Sequence, residues 1–64
     1  MAVYILYSVL NDELVQIFDD KTGRVEYEGS SNDIPNMFMD RLVRHLTIVH
    51  IKGTEKCYQL IVLD

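Results

Sequence analysis

Apolar residues recur at a spacing of two through most of this chain, with a single stretch at helical spacing. In the segment Val3–Leu10, Val3, Ile5, Tyr7 and Val9 alternate with Tyr4, Leu6, Ser8 and Leu10. Both sets are largely apolar, which predicts a strand covered on both faces at the centre of a sheet. Asn11-Asp12 is a turn signal, and Leu14–Phe18 follows as a second strand. Asp19-Asp20-Lys21-Thr22-Gly23 is the clearest turn, with Gly23 free to take positive φ. Arg24–Glu28 then alternates strictly. It is expected to point Val25 and Tyr27 inward and Arg24, Glu26 and Glu28 outward, as suits a sheet edge.

Gly29-Ser30-Ser31 ends this run. Ser31, Asn32 and Asp33 are good N-caps and Pro35 fits a first helical turn. Ile34, Phe38, Met39, Leu42, Val43 and Leu46 fall on one side at helical spacing, which predicts a helix over 33–46. Two more strands are expected, Thr47–Lys52 and Cys57–Leu63, around the turn at 52–56. In the last strand Tyr58, Leu60 and Val62 share one face, and Cys57, Gln59, Ile61 and Leu63 share the other.

The predicted element order is βββαββ in one domain, residues 1–64. The fold class is α+β, two-layer, with one helix on a mixed sheet of about five strands in the order 3-2-1-4-5. A helix of about 14 residues spans about 21 Å, enough for one face of the sheet. The other face is therefore expected to pack against a second copy, giving a homodimer through the helix-free sheet face.

Composition strengthens that expectation. A chain of 64 residues buries too little surface to be robust without reinforcement. Cys57 is the only cysteine, so no intrachain disulfide can form, and His45 and His50 alone fall short of a structural zinc set. Association is the reinforcement left. No apolar run approaches the roughly 18 residues of a membrane span, and the apolar first ten residues lack the basic start and cleavage site of a signal peptide. The lone thiol points to a reducing, cytoplasmic setting.

The net charge of −4 lies in one half of the chain. Residues 1–31 carry six acids against Lys21 and Arg24, whereas residues 32–64 carry four acids against four bases. This argues against nucleic acid, which needs a basic footprint, and favours a basic protein partner. The residues singled out for partner binding are Asp19, Asp20, Glu26 and Glu28, together with Met37 and Arg41 among the polar positions of the predicted helix.

Other groups carry chemistry of their own. His45 and His50 could act as acid or base, but one sits at a predicted helix end and the other in a strand. Cys57 could stand beside His50 if their strands pair, although a small buried hydrophobe is the simpler role. Asp19-Asp20 could meet a hard cation, although adjacent carboxylates in a turn usually just make the turn. The stretch Val15–Val25 resembles the hairpin after the first strand in ribonuclease H-like and actin-like ATPase domains. The preceding segment ends Tyr7-Ser8-Val9-Leu10, without the metal-binding carboxylate or glycine-rich turn of those families, so no activity or residue is carried over.

The resulting expectation is a non-enzymatic protein-binding protein, of the size and charge of phage- or plasmid-type accessory or inhibitor proteins, acting as a homodimer. No catalytic, metal or cofactor residue is assigned. The alternative is a small-molecule or nucleotide-binding regulatory module.

Overall fold

The uncharged opening segment folds as a helix, not as the expected central strand. The structure, a computed structural model, describes residues 1–64. Helix α1 runs Val3–Val9 and buries Val3 and Leu6, three apart, with Leu10 packing a turn later. Seven residues without a side-chain cap would not hold a helix alone. Tertiary contacts supply what is missing. The Val3 N–H donates to the Arg41 carbonyl at 2.9 Å and the Tyr4 N–H to the Met39 carbonyl at 3.1 Å, which satisfies N–H groups that a helix start leaves free. The alternation that suggested a two-sided strand arises because Tyr4, Ile5, Tyr7 and Val9 are apolar but exposed.

The predicted helix over 33–46 is also absent. Two single 3₁₀ turns, Ser31–Asp33 and Asn36–Phe38, are separated by Ile34 and Pro35 in extended geometry, with ψ of 124° and 143°. A residue before proline is pushed out of the helical region, and Ile34 obeys that rule. Ile34 and Phe38, four apart, still both enter the core, and Met39 and Val43 pack against it. Helical spacing is thus met without a helix. The other two members of the expected stripe turn outward, Leu42 57% and Leu46 37% exposed.

Four strands form the sheet: β1 (Leu14–Asp19), β2 (Arg24–Ser30), β3 (Val43–His50) and β4 (Cys57–Leu63). Their order is β2-β1-β4-β3. Two antiparallel hairpins, β1–β2 and β3–β4, meet along a parallel β1–β4 seam with Ile17 beside Ile61. The α+β class, single helix and mixed sheet agree with the expectation. The strand count, the element order and the order 3-2-1-4-5 do not. The central position expected for Val3–Leu10 belongs to Cys57–Leu63, the other run that is apolar on both faces. With residues 3–9 helical, the strand-then-hairpin order behind the resemblance to ribonuclease H-like domains is also lost.

Register assigns the paired strand residues to a face. Val15, Ile17, Ile61 and Leu63 are fully buried beneath α1, Ile34 and Phe38. A bulge between Ile17 and Phe18 in the β1–β2 pairing shifts β2 by one residue. Tyr27 therefore faces the helix side as expected. Val25, paired with Phe18, faces the opposite side and is exposed. The thinnest dimension of the molecule is 17 Å, matching two layers.

Candidate interaction surfaces

Of the residues predicted to bind a partner, three are held by ion pairs within the chain. Asp19, at the end of β1, is buried and its Oδ2 accepts from Arg41 Nη2 at 3.1 Å. Its Oδ1 accepts from the Lys21 N–H at 2.9 Å, and its carbonyl accepts from the Gly23 N–H at 2.8 Å. Gly23 closes the turn with φ of 70°, as the sequence suggests. Arg41 also reaches the Asp64 carbonyl, so this ion pair ties the β1–β2 turn to the crossover and to the end of β4. Asp20 is paired with Arg44.

The Asp19 carboxyl is held below its ordinary value of 3.8, first by the Lys21 N–H, then against an opposing effect of burial by the Arg41 hydrogen bond and charge. A carboxyl depressed in the folded state stabilises above the unfolded pKa and loses that contribution as pH falls through the folded one. Stability is therefore expected to hold through neutral pH and to fall below about pH 4. Asp19→Asn should flatten that part of an acid-unfolding curve followed by circular dichroism. An unchanged acid limb in the variant would deny Asp19 this role.

Glu26 and Glu28 are exposed on β2. Glu26 accepts from the Thr22 hydroxyl at 2.8 Å, and Glu28 pairs across from Gln16 on the side away from α1. Met37 lies in the second 3₁₀ turn and is 76% exposed. Asp19 and Glu28 thus occupy opposite sides of the sheet, and the six residues do not form one surface. His45 and His50 also fall on opposite faces. His50 is paired directly across from Cys57 at the turn end of the β3–β4 hairpin, where both are exposed. No hydrogen bond joins them, and no three His, Cys, Asp or Glu side chains come together as metal ligands. No cavity or cleft opens anywhere in the molecule.

A further surface is one that residue chemistry alone marks only in part. The face of the sheet away from α1 carries Phe18 on β1, Val25 on β2, Tyr58, Leu60 and Val62 on β4, and Thr47 and Val49 on β3. No element covers it. None of these seven is buried, whereas their neighbours on the opposite face include four fully buried residues. Glu28 and His45 mark its two outer strands. Four strands about 4.8 Å apart, each of about six residues, give this face a projected area of roughly 400 Å². Apolar residues gathered on one uncovered face and rimmed by polar ones are the form an interaction site takes. The signal for it was present in part, as the shared face of Tyr58, Leu60 and Val62.

No helix is long and apolar enough to cross a membrane. Comparison with protein-family models, with curated proteins and with solved structures finds no match to this chain.

Proposed function

We propose that the protein acts by protein–protein contact rather than by catalysis, and that its contact surface is the helix-free face of the sheet, packed in the first instance against a second copy. The observation that carries this reading is the uncovered apolar face built on Phe18, Leu60 and Val62. The eight-residue core on the other side is small for a domain of this length. Stacking two such faces about 10 Å apart would give both copies a second core, as in a β-sandwich. The centre of the face is uncharged, so it can lie against its own image. With a two-fold axis along the strands, β2 of one copy lies over β3 of the other. That arrangement brings the Glu28 edge toward the His45 edge at both ends. The absence of any cleft leaves the small-molecule alternative without a supporting observation.

Sedimentation of the wild-type chain tests this reading. The expected result is association at micromolar concentration, with the face-to-face contact weakened at least tenfold after Val25→Lys. That side chain is already 47% exposed, so the fold should tolerate the change. A wild-type chain that is monomeric at high micromolar concentration, or a Val25→Lys variant that associates unchanged, overturns it.

A further inference from the structure

The two edges of the sheet are built differently. Edge β2 carries Arg24, Glu26 and Glu28, contains Gly29, and is broken in its middle by the bulge opposite Ile17 and Phe18. Charges, short runs and bulges are the devices by which proteins keep an edge from pairing. Edge β3 lacks them over its centre. Leu46-Thr47-Ile48-Val49 contains no charge, proline or glycine. On the helix side it leaves Leu46 37% and Ile48 58% exposed, beyond the reach of α1. No residue from Arg44 to His50 makes a backbone hydrogen bond outside its pairing with β4.

The start of this edge is closed. The Val43 N–H donates to the Met1 carbonyl at 2.7 Å, Ala2 bridges to Leu42, and a bulge falls between Val43 and His45. The other end runs into the turn beyond His50. The free stretch is therefore Arg44–His50, and its midpoint is Thr47.

We propose that this stretch pairs antiparallel with the same stretch of a second copy, with Thr47 on the two-fold axis. Residues opposite one another in an antiparallel pair share a face. Leu46, Ile48 and His50 face the helix side, whereas His45, Thr47 and Val49 face the open side. A two-fold axis perpendicular to the sheet keeps the two helix layers on one side, so each residue must meet one of the same face. Centring on Thr47 satisfies that rule. Leu46 of one copy stands opposite Ile48 of the other, twice, and His45 opposite Val49, twice. The four exposed aliphatic side chains then close into one apolar cluster between the helix layers. Arg44, opposite His50, already has its charge met by Asp20. The product is a continuous eight-stranded sheet.

This contact rests on the edge and not on the open face, so the two can be separated. In a Cys57→Ser background, Thr47→Cys should cross-link under mild oxidant at least tenfold faster than Thr54→Cys in the exposed hairpin turn. Across the two-fold axis the Cα atoms would be about 4.5–5.5 Å apart, within disulfide range. In a face-packed dimer they would sit on sheets about 10 Å apart. Leu46→Lys with Ile48→Lys should abolish the cross-link while leaving the circular dichroism spectrum unchanged, and Val25→Lys should leave the cross-link intact. Independently of any variant, amide exchange of wild-type Arg44–His50 should slow as concentration rises. Cross-linking at Thr47 no faster than at Thr54, or persisting in the double-lysine variant, overturns the proposal. So does exchange over this stretch that is indifferent to concentration.

Discussion

Phe38→Ala should destabilise the fold by about 3–5 kcal/mol, while Leu42→Ala, four residues on, should change it by less than about 0.5 kcal/mol. Phe38 is 4% exposed within the core cluster, and Leu42 points outward. On a helix the two would sit one turn apart on the same stripe and share the same fate. In this fold they lie in a 3₁₀ turn and at the approach to β3. A domain of this size has only about 3–10 kcal/mol of total stability, so the phenylalanine change should leave much of the chain unfolded. Urea melts of the two variants side by side decide the matter. Equal losses would restore the helical stripe and refute the crossover described above.

Gly29→Ala should cost about 1–3 kcal/mol, more than Gly23→Ala despite the conspicuous turn at Gly23. Gly29 has φ of 155°, and an added Cβ would lie 2.9 Å from the Tyr27 hydroxyl and 3.3 Å from its ring. That hydroxyl cannot simply move, because it donates to the Ser30 carbonyl at 2.7 Å. Gly23 has φ of 70° with open space around it, so only backbone strain of about 1 kcal/mol is at stake there. Combining Gly29→Ala with Tyr27→Phe should cost less than the sum of the two single changes, because the nearest obstacle is removed with the hydroxyl. Strict additivity in a thermal or urea double-mutant cycle would clear Tyr27 of blame.

The elements that could be read from the sequence are those decided by neighbours in the chain. The Asp19–Gly23 turn, the strands Leu14–Phe18 and Arg24–Glu28 around it, and Cys57–Leu63 follow from alternation and turn chemistry. What could not be read was decided by distant partners. Val3–Leu10 satisfies strand alternation and helical spacing equally, because nearly every residue in it is apolar. Carbonyls of Met39 and Arg41 settle the choice. Pro35 fits a helix start and also forbids a helical Ile34, and the core accepts Ile34 and Phe38 either way. One bulge in β2 sends Val25 to the opposite face from Tyr27, an outcome that period-two reasoning cannot foresee. Among the candidate partner-binding residues, acidity was visible but pairing was not. Asp19 and Asp20 find Arg41 and Arg44, 22 and 24 positions away. The open face was half legible, because one strand of it reads from alternation while its neighbours depend on strand order.

The parallel seam between β1 and β4 also dictates an order of events. Ile17 and Ile61 stand side by side although 44 positions separate them, from 17 to 61. Bringing them together in an open chain closes a long loop, whereas each hairpin closes around its own short turn. Once both hairpins exist, only the twelve-residue connection 31–42, between the end of β2 and the start of β3, has still to be spanned. The logarithmic dependence of closure entropy on loop length makes that route cheaper by about 1 kcal/mol. The central strands of the finished sheet are thus the last to meet. Until they do, each hairpin has an apolar strand edge waiting for a partner.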